Sequence, residues 1–238
     1  MTHATITNQD MLDKVRKLLA KAESVAGTPE ADVFNAKAFE LIAKYGIDET
    51  AARAHAGDGP APIEMVRFTL TGQYLRDQAF LFHVLAEALH CEPMMLNDYS
   101  LQLAYGTAGH IERLRVLFAT LAPQMLAGAA RQRPGRFATV GVKAFRRSWM
   151  RGFYTEVAAR LREAEGSAAA ESGAGTELVL LDDAKRAMAA LDADHLGNYG
   201  DVTRRGYHDS DAADAGAAAA QRVNLGQAGV GGRRAIDA

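Results

Sequence analysis

The chain begins with apolar positions that recur at the helical period. Over residues 8–22 the apolar side chains fall every three or four positions, with basic residues between them. Thr28 followed by Pro29 starts a second such pattern, and Gly46 follows its end, as is typical of a helix stop. The pattern predicts a helical hairpin, which we assign to a domain of residues 1–56.

The period changes after a short segment rich in glycine and proline. Residues 57–62, GDGPAP, are typical of a linker. Apolar residues then alternate from Ile63 to Leu70, which predicts a strand. A helical pattern over 74–90 follows, and two short strands are predicted on either side of Asp98.

Two long helical patterns come after the strand pair. Apolar residues between Ile111 and Met125 repeat every three or four positions, and a second apolar stripe runs from 138 to 165. The sequence QRPG at 132–135 predicts a turn between them. We therefore expect the two helices to pack antiparallel.

The last third of the chain mixes low-complexity and periodic segments. Residues 166–176 are small and polar and predict a mobile loop. Residues 177–181 predict a strand and 182–195 a helix, and an alanine-rich pattern predicts a final helix before a flexible, glycine-rich tail at 226–238. The larger domain then spans 63–225. The expected fold class is α+β and helix-rich, with a small sheet and long packed helices.

The N-terminal hairpin contains two recognisable runs, KVRKLLAKAES at 14–24 and PEADVFNAKAFELIAKYGID at 29–48. They resemble the family of proteins of unknown function DUF2786, found in bacterial and phage proteins. The stretches GTAGHIERLRVLFATLAPQM and FRRSWMRGFYTEVAARL look like the companion domain that often follows it. The resemblance implies a small helical domain fused to an α+β domain. It implies no activity and no catalytic residues.

Positive charge is concentrated in one part of the chain. The stretch 113–155 holds nine of the 27 Lys and Arg residues, whereas all 29 Asp and Glu residues lie outside it. The formal net charge of −2 conceals this separation. A positive surface on an acidic body attracts polyanions.

Seven of the nine cations could form one surface. Lys143 and Arg147 are four residues apart, as are Arg147 and Arg151, which predicts one cationic face on the second long helix. Arginine suits bidentate phosphate contacts. The candidate nucleic-acid contacts are Arg131, Arg133, Arg136, Lys143, Arg146, Arg147 and Arg151.

The two other cations, Arg113 and Arg115, are interpreted as ion-pair residues, because an antiparallel partner helix would bring them near Glu156 and Glu163. Ion pairing is also the alternative interpretation of the seven candidates. Their partners would then come from the acid-rich segments around Asp182 and Asp209.

A second candidate site lies between a predicted strand and a helix. Gly106, Thr107 and Gly109 stand where the N–H groups of a helix start can hold a phosphate or carboxylate. The pattern matches neither the P-loop nor the dinucleotide fingerprint. A plain tight turn is the favoured alternative.

Histidine and cysteine spacings predict no metal site and no cofactor. His83 and His90 are about 10 Å apart along a helix, too far for one zinc ion. The segment HDSDAAD at 208–214 lacks the later ligands of a calcium loop and is better explained as a helix cap. A zinc site that also used Cys91 and His110 is a minor alternative.

The lone cysteine fits a reducing compartment. The first residues show no signal-peptide pattern, and no apolar run reaches the roughly 20 residues of a membrane span. We expect a cytoplasmic protein without a membrane partner.

Three functions remain open. The favoured one is non-enzymatic nucleic-acid binding through the seven cations. The second is a protein-interaction module that binds an acidic partner or a second copy of itself. The third is an enzyme on a phosphorylated or nucleic-acid substrate, although no catalytic signature is present and the catalytic residues are unknown. A dispersed site could include Glu64, Glu87, Asp98 or His110.

Overall fold

The computed structural model describes residues 59–96, 98–136, 139–172, 174–195 and 208–222. It also describes scattered positions nearer the N-terminus, all helical: Lys14, Val15, Lys17, Leu18, Lys21, Lys37, Glu40, Leu41, Ala43–Ile47 and Thr50. The predicted hairpin as a whole, the first two linker residues and the predicted tail lie outside the described residues.

Three strands form a small antiparallel sheet: β1 (Glu64–Thr69), β2 (Glu92–Met95) and β3 (Leu101–Gly106). The central strand β3 pairs with β1 on one side and β2 on the other. Asp98 closes the β2–β3 turn by accepting hydrogen bonds from the N–H and hydroxyl groups of Ser100, at 3.0 and 2.6 Å. The three strands predicted between residues 63 and 106 are confirmed.

Five helices are described in full along the rest of the chain. They are α1 (Leu75–Ala88), α2 (Ala108–Ala130), α3 (Val142–Ser172), α4 (Ala174–His195) and α5 (Ser210–Arg222). Together with the sheet they confirm the helix-rich α+β class.

The segment predicted as a mobile loop and a strand is helical. α3 continues through 166–172, and α4 covers 177–181, so both predictions are wrong. Alanine and glutamate favour helix, and burial supplies the rest of the stabilisation. Ala169 and Leu180 pack in one apolar cluster with Ile47 of the N-terminal segment. A composition that reads as low complexity therefore forms two packed helix ends.

The sheet lies between two apolar layers. Ala104 belongs to the main core, which α1, α2 and α3 share, whereas Leu103 and Tyr105 pack in a smaller cluster with Ala187 and Leu191 of α4. Successive residues of a strand point to opposite faces. β3 therefore buries both of its faces.

The described N-terminal positions pack on the α+β body. Val15 is fully buried in the main core, and Leu18 and Leu41 pack against it. Ile47 packs in a cluster separate from the main core, so the N-terminal segment contributes apolar side chains at two places.

α3 and α5 touch through their backbones. A Cβ atom at Gly152 would lie 1.9 Å from the carbonyl oxygen of Ala213, and one at Gly216 would lie 1.9 Å from that of Trp149. Only glycine fits at these two positions. This contact fixes the middle of α3 against α5.

Candidate functional site

Four of the seven candidate cations are exposed where α2 gives way to α3. Arg131 caps the C-terminal end of α2, Arg133 and Arg136 follow it, and Lys143 lies in the first turn of α3. No Asp or Glu of the described residues forms an ion pair with any of them. We call these four residues the cationic connection.

Arg146 has a structural role beside them. Its Nη2 donates to the carbonyl oxygen of Ala130 at 2.6 Å, and its Nε donates to that of Gln132 at 3.2 Å. These carbonyls lie at the C-terminal, negative end of α2. Arg146 therefore ties α3 to the end of α2 and keeps Arg131 and Arg133 next to the start of α3.

Arg147 is engaged with an acid from another helix. Its Nε lies 3.3 Å from Oδ2 of Asp77 in the first turn of α1, and the two side chains are 40% and 8% exposed. Neither atom has a hydrogen-bond partner within the described part of the chain, so the contact is an ion pair without good hydrogen-bond geometry. Burial raises the pKa of Asp77 to about 6, against the opposing charges of Arg147 and Arg76.

The face formed by Lys143, Arg147 and Arg151 is not uniformly exposed. Lys143 is exposed, Arg147 contacts Asp77, and Arg151 is half-buried. The reason is that α3 packs against α1, α2 and α5 at once. A single apolar stripe therefore does not describe its burial beyond the first turns.

The acids expected to neutralise the cations lie against other partners. Asp182 is 4.0 Å from Arg186 on its own helix. Asp209 caps α5 by accepting the N–H of Ala212 at 2.9 Å. Neither forms an ion pair with the cationic connection in the part of the chain that the structure describes.

Arg113 and Arg115 have different environments on α2. Arg113 is fully buried and forms an ion pair with Glu165 of α3, so its ion pair forms with Glu165 in place of Glu156 or Glu163. Arg115 is exposed, and its guanidinium lies 4.7 Å from the centre of the Phe68 ring. Neither belongs to the cationic connection.

A polar cluster surrounds the buried pair. Nε2 of His90 lies 3.8 Å from Oε2 of Glu165, and the His90 and His110 ring centres are 5.7 Å apart. The Arg113 guanidinium fills the space that a side chain at Gly46 would take, so the cluster lies where the N-terminal segment meets the body.

Burial controls ionisation in this cluster. It lowers the pKa of His90 to about 4, with help from the Arg113 charge, and raises the pKa of Cys91 to about 12. The pKa of Glu165 is also raised by burial. Since the imidazole and the thiol are uncharged near neutral pH, Cys91 is a weak nucleophile. These properties favour a structural role for the cluster.

The second predicted site is the connection between β3 and α2, where Thr107 alone separates the strand from the helix. Thr107 is buried, and its hydroxyl accepts the N–H of His110 at 3.4 Å. Gly106 is buried too, and a Cβ atom there would lie 2.7 Å from Sγ of Cys91. Gly109 is half-buried inside the first turn of α2. Because Thr107 already caps α2, the arrangement favours the turn over an anion site.

The acids considered for a dispersed active site are separated. Glu64 pairs with Gly106 at one end of β3, whereas Asp98 lies in the turn at its other end. Glu87 contacts Arg162 at 3.1 Å. Across the described ranges, no three His, Cys, Asp or Glu side chains are grouped so that they could hold a metal ion.

The sequence did not single out Asp77 or Arg76. The Arg76 guanidinium lies 5.4 Å from the Phe80 ring centre, and its charge acts on Asp77. Both residues lie on α1, about 70 positions before Arg147. Only the packing of α1 on α3 brings them to the basic surface, so no local pattern could have indicated them.

Among known proteins, a match is found for the N-terminal part of the chain. No curated protein and no solved structure matches the chain. Of the helices that the structure describes, none combines the length and apolar content needed to cross a membrane. Residues 10–49 match the family model described as Protein of unknown function (DUF2786), which confirms the resemblance seen in the two N-terminal runs.

Proposed function

We propose that this protein uses the cationic connection to bind the phosphate groups of nucleic acid. The observation that carries the proposal is that Arg131, Arg133, Arg136 and Lys143 are exposed and have no acidic partner among the described residues. The chain has 29 acids, and none lies between positions 113 and 155.

The absence of acids from this stretch has an energetic meaning. Exposed cations repel one another, and an acidic side chain nearby would reduce this repulsion. Exposed cations also hold counterions that a phosphate backbone displaces, and this release drives binding. The arrangement suits a polyanion as the missing partner.

The start of α3 adds to the positive potential. The first helical hydrogen bond in this turn is donated by the N–H of Phe145 to the carbonyl oxygen of Gly141, at 3.1 Å. The N–H groups of 142–144 therefore have no partner within the helix. No acid lies in the first turn, so the positive end of the helix dipole is not neutralised from within.

The test is fluorescence anisotropy with labelled single-stranded and duplex DNA and RNA across a salt series. If all four cations contact phosphates of duplex DNA, the slope of log K against log salt is about −3.6, and affinity falls about a hundredfold from 50 to 200 mM salt. A variant with Arg131, Arg133, Arg136 and Lys143 all changed to Gln should lose the binding and most of the slope.

The matched control removes the same number of charges from exposed positions elsewhere, namely Lys44→Gln, Arg67→Gln, Arg162→Gln and Lys185→Gln. It should keep the salt slope. Equal losses in both variants, each shown to be folded by circular dichroism, would mean that net charge and not the cationic connection drives binding. Absence of wild-type binding at low salt would refute the proposal.

A protein partner is the second candidate, favoured by the surface of α4. Leu178 and Leu181 are 68% and 50% exposed there, and the neighbouring Asp182 side chain is 60% exposed. Such an acidic and apolar surface could receive the cationic connection of a second copy. Sedimentation equilibrium tests it, because self-association should then disappear in the four-Gln variant.

A further inference from the structure

One acid of the described residues forms an ion pair with a candidate cation. Asp77 contacts Arg147, and no other Asp or Glu of the described residues forms an ion pair with any of the seven candidate cations. The carboxylate comes from α1 and the guanidinium from α3. A carboxylate in this position takes the place that a phosphate oxygen would occupy on Arg147.

We propose that Asp77 is an internal competitor of nucleic-acid phosphate for Arg147, so that protonation of Asp77 releases Arg147 to the ligand and strengthens binding. The inference rests on the proposed function, because it concerns regulation of the same surface. It adds a residue that does not itself touch the ligand.

The geometry of the pair favours exchange. Oδ2 of Asp77 and Nε of Arg147 are 3.3 Å apart but lack hydrogen-bond partners, and a pair of this kind is weaker than a bidentate one. The Arg147 side chain is 40% exposed, which leaves it accessible from solvent. It also lies one helical turn, about 6 Å, from exposed Lys143, so a phosphate chain on Lys143 is within its reach.

The charges around Asp77 determine the direction of the pH effect. Arg147 from α3 and Arg76 from α1 are the described charged groups that act on it, and burial outweighs them and raises the pKa of Asp77 to about 6. A phosphate on Arg147 would weaken that favourable charge and add a negative one nearby. Both changes raise the pKa of Asp77 further.

Asp77 therefore takes up a proton when nucleic acid binds. By linkage, a lower pH strengthens the binding of nucleic acid. The affinity should rise as the pH falls through the pKa of the bound state. It should level off below about pH 6, where Asp77 of the free protein is already protonated.

The experiment measures anisotropy with a labelled DNA duplex between about pH 5 and pH 8, at constant ionic strength. Release of one surface cation is worth about twofold to fivefold in affinity, so the wild type should bind tighter by that factor at the acidic end. Asp77→Asn should bind at pH 8 about as tightly as the wild type at pH 5. Its salt slope should be steeper by about 0.9.

Two further variants make the result specific. In an Arg147→Gln background, Asp77→Asn should have no effect, because there is no cation left to release. Asp182→Asn removes an acid that faces Arg186 on α4 and should keep the wild-type pH dependence. A pH-dependent effect that does not involve Asp77 is the same in every variant and cancels in the comparison.

The outcomes separate the two proposals. Wild-type binding with the same pH dependence in Asp77→Asn, or an undiminished effect of Asp77→Asn when Arg147 is Gln, would overturn the competitor role and leave the cationic connection intact. Absence of wild-type binding at every pH would overturn nucleic-acid binding itself and the competitor role with it. Circular dichroism of each variant checks the fold.

Discussion

The start of α3 and the rest of the helix both carry charged side chains, but these side chains lie in different environments. At the N-terminal end, Lys143 points to solvent and the arginines before it have no acidic partner among the described residues. In the middle, Gly152 touches the backbone of α5, and Glu165 is buried against Arg113. Charged side chains are therefore buried where several helices pack against α3. They remain exposed to solvent at the start of the helix.

The largest expected effect comes from the buried pair. Arg113→Ala leaves Glu165 buried without its partner and should lower the free energy of unfolding by about 3–5 kcal/mol. Urea denaturation measures this loss. The control is Arg115→Ala on the same helix, which removes an exposed arginine and should cost about 1 kcal/mol or less. Equal losses in the two variants would show that the pair does not anchor the middle of α3.

Glycine substitutions along α3 should give the next largest effect. Gly152→Ala places a methyl group on the α5 backbone and should destabilise the protein by about 1–3 kcal/mol. Gly166→Ala is the matched change on the same helix, with nothing within 4 Å of the new Cβ atom. It should stabilise by about 0.5–1 kcal/mol. Thermal unfolding of both variants tests whether only the middle of α3 is in close contact.

Asp77 of α1 contacts α3 at Arg147, between the exposed start of α3 and its enclosed middle, and its effect on stability should depend on pH. Its pKa is raised from 3.8 to about 6 in the folded protein. The stabilising contribution of the protonated form is therefore complete below 3.8 and is lost as the pH rises through about 6. Relative to Asp77→Asn, the wild type should lose about 2 kcal/mol of stability between about pH 4 and pH 7. Urea titrations measure the free energy of unfolding of both proteins. A difference between them that stays constant over this pH range would contradict the raised pKa of Asp77.

The smallest effect on stability should come from the cationic connection. The four-Gln variant removes exposed side chains without partners, so its free energy of unfolding should change by about 0.5 kcal/mol or less. Arg146→Gln should cost about 1 kcal/mol because two carbonyls at the end of α2 lose their donor. A four-Gln variant less stable than Arg146→Gln would assign the connection a structural role.

Local patterns were enough for the strands and for most of the helices. The alternation from Ile63 to Leu70 depends on neighbouring residues alone, and it corresponds to the observed strand β1. The segment 166–181 failed because its alanines and glycine indicate little burial by themselves. Its helical state is supported by contacts with Ile47, a residue more than 100 positions away.

The candidate site divides in the same way. The charge count marked the stretch around Arg133 and Lys143, since a run of cations without acids is visible in one dimension. It did not distinguish Arg146, which caps α2, from its exposed neighbours. The Asp77 contact could not be expected at all, because it depends on how α1 lies against α3.

The sequence by itself determined the helix-rich α+β fold class, the positions of the three strands and the separation of positive from negative charge. These are properties of periodicity and composition, which local interactions and solvent exposure set. The tertiary structure alone decided which arginines are neutralised, which carboxyl has a raised pKa and where α3 is enclosed. Those outcomes depend on burial and on distances of a few ångströms between helices far apart in the chain, where the energy of a charge changes most steeply.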